Sequence, residues 1–189
     1  MSSSSFGALW KSSDYKCQVY LPDGEPQIEK WITLGSVEPG TLVGSRNVDG
    51  TIYLFCGCVD LAKEPKVRHL DAKSIETLQK CFFGPGQGFW HGLQRITLNG
   101  MNGFRLTGDE VYSGGHYGLV VDMYEANGRI YQVAGMKQND QQPWKDTNIK
   151  EFLASFRVLR SPPVAAWRWQ RSNVWDVCDE RGLCGLQVL

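Results

Sequence analysis

Few residues in this chain have the type and spacing that chemistry requires. A thiolate nucleophile needs a base, so Cys81 with the nearby His91 is the pair a Cys/His hydrolase would use. Against it, Cys81 falls beside the apolar stripe of an expected helix, and no third residue is in view to orient the histidine. His116, in Gly114-Gly-His-Tyr-Gly118, stands at the mouth of an expected strand, where loops often carry function. An exposed turn histidine there needs no chemical role. Cys56 and Cys58 are two apart on an expected strand and face the same way, as two ligands of a metal site would. Two ligands are not four, and no Cys-x-x-Cys pair or neighbouring histidine completes the set. Buried thiols, or a disulfide to Cys17 or Cys81, are the readings left. Gly84-Pro-Gly-Gln-Gly88 has the composition of a phosphate cradle, but such cradles follow a strand and open a helix, whereas this run ends one and has no lysine. Catalytic residues, metal ligands and a cofactor site are accordingly not expected.

The tail is the sharper signal. Trp167, Trp169 and Trp175 place three of the seven tryptophans within nine residues. If extended, Trp167 and Trp169 alternate with Arg168 and Gln170 and show both indoles to one face. Trp and Arg are enriched where one protein grips another, so Trp167, Trp169, Arg171 and Trp175 are the expected partner-binding residues. The alternative is that the tail folds back and completes the domain. Cys178 and Cys184 flank a turn at Asp179-Glu-Arg-Gly182 and are the first candidates for a disulfide if the protein is exported.

The totals narrow the partners. The chain has 189 residues, with 20 Lys and Arg against 20 Asp and Glu. It offers no basic field for nucleic acid or an anionic membrane. No apolar run approaches the roughly 18 residues of a membrane span. Met1-Ser-Ser-Ser-Ser5 lacks the regions of a signal peptide, although a start Met replacing a removed export signal would look the same. The six cysteines lean toward an oxidising compartment.

Positioning elements follow from periodicity. Alternation predicts strands at Lys16–Leu21 and Gln27–Leu34, then a hairpin over Thr41–Cys58 turning at Asn47-Val-Asp-Gly50. A helix capped by Asp71 follows, with Ile75, Leu78 and Phe82 on one stripe. Short strands are expected at Gln94–Leu98 and Gly103–Thr107, separated by the turn Asn99–Gly103. Tyr117–Tyr124 and Arg129–Ala134 form a second hairpin through Asn127-Gly128. A last helix carries Ile149, Phe152, Leu153 and Phe156, capped by Asp146 or Asn148. Hairpins interrupted by two amphipathic helices give an α+β fold, helices covering a mainly antiparallel sheet. Residues 1–9 are expected to be disordered, 10–160 to form the domain, and 161–189, after Ser161-Pro-Pro163, to be a Trp- and Cys-rich extension.

The succession Trp10 with Ser13-Asp14, Leu21-Pro-Asp-Gly-Glu-Pro26, Gly50-Thr-Ile-Tyr53, Leu98-Asn-Gly-Met-Asn-Gly-Phe104, Asn127-Gly-Arg-Ile-Tyr-Gln-Val133 and Phe152-Leu-Ala-Ser-Phe-Arg157 resembles the PsbP-like superfamily over about residues 10 to 160. That superfamily includes the Ran-interacting Mog proteins, DcrB-type lipoproteins and effector-associated chaperones of type VI secretion. The resemblance implies an α/β/α sandwich and a binding or assembly role, and it supplies no catalytic residues to carry over. The expected function is a non-enzymatic protein-binding domain, bacterial, periplasmic or cytoplasmic, acting as a secretion-associated chaperone or toxin-neutralising protein on an effector or toxin. The rivals are a small-ligand carrier with an apolar pocket and a Cys/His hydrolase.

Overall fold

The computed structural model describes residues 7–21, 27–31, 40–46, 51–63, 67–76, 88–112 and 115–159, and of 27–31, 40–46 and 112 the backbone alone. The chain divides after Leu159. Cys81 and the tail residues Trp167, Trp169, Arg171, Trp175, Cys178 and Cys184 lie outside the described residues.

In chain order the elements are β1 (Ala8–Ser12), β2 (Cys17–Leu21), β3 (Gln27–Trp31), β4 (Gly40–Arg46), β5 (Ile52–Asp60), a helical stretch α1 at 72–76, β6 (Gly88–Leu98), β7 (Met101–Tyr112), β8 (Gly115–Ala126), β9 (Arg129–Gln138), α2 (Thr147–Ser155) and β10 (Arg157–Val158). One sheet runs β3-β4-β5-β9-β8-β7-β6 and a smaller one β1-β2-β10. Every described pairing is antiparallel.

Because side chains alternate along a strand, the large sheet carries two cores. On one face Ile52, Leu54, Cys56 and Cys58 of β5 and Tyr131 and Val133 of β9 pack with Cys17, Val19 and Leu21 of β2 and with Ile149, Phe152, Leu153 and Phe156 of and just beyond α2. On the other face Leu106, Leu119, Val121, Met123, Ile130 and Met136 pack with Val67 and Ile75. The fold is thus an α/β/α sandwich. Phe152 and Phe156 have no exposure, and burying each contributes on the order of 1.5–3 kcal/mol.

Both helices start where capping chemistry says they should. The Asp71 carboxylate accepts from Ser74 N–H at 2.7 Å while the Ser74 hydroxyl accepts from Asp71 N–H at 2.8 Å, a reciprocal cap. These Ser74 contacts hold the Asp71 carboxyl below its usual range. Asp146 caps α2, accepting from Asn148 N–H at 2.9 Å and Ile149 N–H at 3.3 Å. Lys137 Nζ donates to its other oxygen at 2.8 Å. Burial pushes the Asp146 carboxyl up, and the Lys137 ammonium and the capping amides outweigh it and hold it low.

Three expectations need correction. The first expected strand, β2, is not in the main sheet; it pairs with β1 and β10 in the layer that also holds α2, and its amide at Tyr20 donates to Ser155 Oγ of α2 at 2.9 Å. Ala8 and Leu9, expected to be disordered, open β1. The turn at Asn99 has two residues, not five. Asn99 and Gly100 take φ of 52° and 78°, the left-handed pair of a type I′ turn, so Met101–Gly103 belongs to β7. The strands are also longer than expected, with 11 residues in β6 and 12 in β7.

Candidate partner-binding site

The two-residue turn closes β6 and β7 into a long ribbon at the margin of the large sheet. β6 ends the strand order, so among the described residues no strand pairs with its outer edge. An open edge of this kind is a template for another chain. None of the 11 residues of β6 is buried. Phe89 is 71% exposed and Leu93 48%, and Val111 of β7 is 45% exposed. Phe89 pairs with Asp109, so alternation puts it on the same face as Val111. Phe89 and Val111 are thus both exposed on one face of the ribbon beside that edge.

The ribbon also corrects the reading of His91. β6 bulges between Trp90 and Gly92, which leaves His91 out of the ladder, and its Nε2 contacts the Asp109 carboxylate. An orienting acid for His91 therefore exists. Both side chains are well exposed, 56% and 39%, and the pair lies on an open strand face. His116 lies exposed on β8, and its carbonyl accepts from Asn139 N–H at 2.9 Å.

At the turn end of the ribbon is a groove of about 940 Å³, walled by Leu70, Asp71, Arg95, Met101, Phe104 and Glu125, among others. The β6–β7 register sets Arg95 opposite Phe104, and its guanidinium lies 5.8 Å from the ring centroid. The acidic groups are already engaged. Glu125 accepts from Leu70 N–H at 2.7 Å and meets His69 Nδ1 at 3.3 Å, and Asp71 is committed to its cap. Arg95 is the groove's uncommitted charge among the described residues.

Beneath the ribbon, Arg105 of β7 grips Asp122 of β8 with two hydrogen bonds, Nε at 2.6 Å and Nη2 at 2.7 Å. Tyr124 Oη donates to the same carboxylate at 3.3 Å. Asp122 is 1% exposed, so three polar groups satisfy one another under the sheet surface. The Asp122 carboxylate raises the Arg105 guanidinium, and burial followed by Asp122 raises the Tyr124 phenol. These residues were not singled out in the sequence. The available signal was a lone Asp inside the apolar run Leu119–Tyr124.

Cys56 and Cys58 do share a face, as expected, and both are buried and free, as is Cys17. Among the described residues no three His, Cys, Asp or Glu side chains converge to hold a metal ion, and no helix is long and apolar enough to cross a membrane.

No family model and no curated protein sequence matches the chain. Solved structures do. The solution structure of cyanobacterial PsbP from Synechocystis aligns over 80% of this chain and 91% of its own length at 11% identity, with a TM-score of 0.56. This is a PsbP-like fold. A Pseudomonas aeruginosa protein of unknown function, PA94, aligns over 84% of this chain and all of its own at 13% identity, TM-score 0.45. LpqN, involved in cell envelope biogenesis of Mycobacterium tuberculosis, aligns over 72% and 86% at 13% identity, TM-score 0.38. Both of these are looser matches. PsbP-like architecture accounts for the antiparallel sheet between two helical layers; what this chain does depends on its own surface.

Proposed function

We propose that this PsbP-like domain is a non-catalytic binding protein that takes an extended segment of another protein along β6. The observation that supports the reading is the edge itself: a strand of 11 residues none of which is buried, an outer side that no described strand pairs with, and an exposed Phe89. Strand addition would satisfy the edge amides and carbonyls, while Phe89 on one face of the sheet and Leu93 on the other, the bulge at His91 having shifted the alternation, would each meet guest side chains on its own face. The partner class is an effector or toxin, held as a chaperone or neutralising protein would hold it, with Trp167, Trp169, Arg171 and Trp175 as further contacts. Co-purification from the native host followed by mass spectrometry identifies the partner. The double variant Phe89→Asp, Leu93→Lys should then weaken binding at least about tenfold, since hot-spot losses of 2 kcal/mol or more are usual, while leaving the melting curve unchanged. A stoichiometric small metabolite with no protein would count against the reading.

One observation favours a second reading, a small-ligand carrier. The groove's volume of about 940 Å³ falls within the range of ligand pockets. Native mass spectrometry showing a bound small molecule that Arg95→Ala releases would favour it over strand addition.

A further inference from the structure

The strand that offers the edge carries charge of one sign only. Between Gly88 and Leu98, β6 has His91 and Arg95 and no Asp or Glu. His91 is answered by the Asp109 carboxylate on the neighbouring strand. Arg95 is exposed, and among the described residues it meets no carboxylate; its guanidinium lies over the Phe104 ring, 5.8 Å from the centroid. A guanidinium stacked on a ring uses its face and keeps its in-plane N–H donors, the fork that fits a carboxylate. The two carboxylates that wall the adjoining groove are engaged elsewhere, Glu125 by Leu70 N–H and His69, and Asp71 by Ser74 N–H. Asp122 is gripped by Arg105, and Glu110 lies near the far end of β7.

The register places the group that would answer this charge. The bulge between Trp90 and Gly92 interrupts the ladder, so Gly92–Leu98 is the stretch a partner strand can follow residue by residue. Leu93 and Arg95 stand opposite Leu106 and Phe104, which belong to the second core, so both side chains are on that face. A guest residue set against Arg95 on that face would have its Cβ about 4.5–5.5 Å from that of Arg95, and the guest residue two along would meet Leu93. The groove, lined in part by Arg95, Ile96 and Thr97, opens at this place and leaves room for the guest side chain. β6 runs on past Arg95 through Ile96 and Thr97 to Leu98, so the guest pairs beyond the charge and reaches it with a side chain rather than with a chain end. A second copy of this chain does not supply that side chain: β6 laid against β6 brings no acid to Arg95 and sets basic residues toward one another.

Resting on the strand addition proposed above, we infer that the segment taken along β6 is acidic: it presents an Asp or Glu to Arg95 and, two positions away on the same face, an apolar residue to Leu93. Main-chain hydrogen bonds give an added strand affinity with little sequence preference, and the side chains it faces give specificity. On this edge the unmatched guanidinium does the selecting, since it attracts a carboxylate and repels a Lys or Arg in the same place.

The test uses the full chain and fluorescent peptides about nine residues long, capped at both ends, alternating Val and Thr from a Val at each end, with Glu, Gln or Lys at the centre. The central residue then has Val two places away whichever way the strand runs. Anisotropy titrations at low salt should rank Glu ahead of Gln by about two- to fivefold, with Lys last, and Arg95→Glu should reverse the order, with Lys tightest. Hydrogen exchange in the Glu complex should be slowed over residues 92–98. Equal binding of the three peptides with β6 protected overturns the acidic guest and leaves strand addition standing. A Glu preference that survives in Arg95→Glu overturns it as well, because the carboxylate is then read elsewhere. A dimer that protects β6 without peptide puts a second copy on the edge and has the same effect. Failure of every peptide to bind, or binding that leaves residues 92–98 unprotected, removes strand addition and the acidic guest together. The wild-type ranking decides this without relying on the variant to fold.

Discussion

Glu110 offers a prediction whose sign and size both come from its place in the sheet. It lies on β7, opposite Tyr117 of β8 and Gly88 of β6. No hydrogen bond or ion pair reaches its carboxylate among the described residues. Burial alone pushes its carboxyl up from 4.5 to about 7. The folded state therefore holds a proton that the unfolded chain releases between about pH 4.5 and 7. Because the folded state binds more protons in that window, stability falls as pH rises through it and levels off above. A shift of about 2.5 units corresponds to an upper bound of about 3 kcal/mol. The side chain is partly exposed, so solvent screening reduces this to about 1–2 kcal/mol. Glu110→Gln keeps the shape and removes the charge. Urea melts of both proteins at about pH 5 and pH 8 should show the variant gaining about 1–2 kcal/mol on the wild type between the two. Parallel pH profiles would show that Glu110 is solvated or paired and that the burial argument is wrong.

Asp122→Ala should lower stability by about 3–5 kcal/mol in denaturant melts, because it strands the half-buried Arg105 charge; replacing Arg105 and Asp122 together by Met and Leu should recover most of it. A loss under about 1 kcal/mol for the single variant would mean that the pair is solvated. Gly135→Ala should cost about 1–3 kcal/mol, since a Cβ there would meet Ile149 Cγ2 of α2 at 2.6 Å, and Ile149→Val in the same chain should relieve part of it. On the non-catalytic reading no cysteine reacts with iodoacetamide at neutral pH faster than free glutathione does; a Cys81 rate about tenfold higher, lost in His91→Ala, would instead favour a hydrolase using His91 and Asp109.

Local chemistry was legible where one short stretch determines the outcome. Asn127 and Gly128 adopt φ of 53° and 70°, as an Asn-Gly hairpin must, and the α2 stripe buries Ile149, Phe152 and Leu153. Legibility failed where a residue's role depends on a distant neighbour. Gly103 looks like a turn residue, yet it sits in β7 because a Cβ there would come within 2.3 Å of the Met123 carbonyl and 2.6 Å of the Tyr124 ring. Gly108, in the middle of β7, makes room for Phe89 O and Trp90 in the same way. The contact of His91 with Asp109 needs both the register of the ribbon and a bulge that no local pattern announces. The Arg105–Asp122 pair likewise exists only once β7 and β8 are aligned. The open edge of β6 is a property of strand order, which hairpin signals leave undetermined when β5 and β6 are joined by a crossover.

Hydrogen exchange with mass spectrometry on the complex with the co-purified partner tests the central claim most directly, because a guest strand must take up the outward-facing amides of β6. The account expects slowed exchange across residues 88–98 on binding, with that protection lost in the Phe89→Asp, Leu93→Lys variant. Unchanged exchange along β6 in a fully occupied complex, with protection appearing elsewhere on the domain, would contradict it.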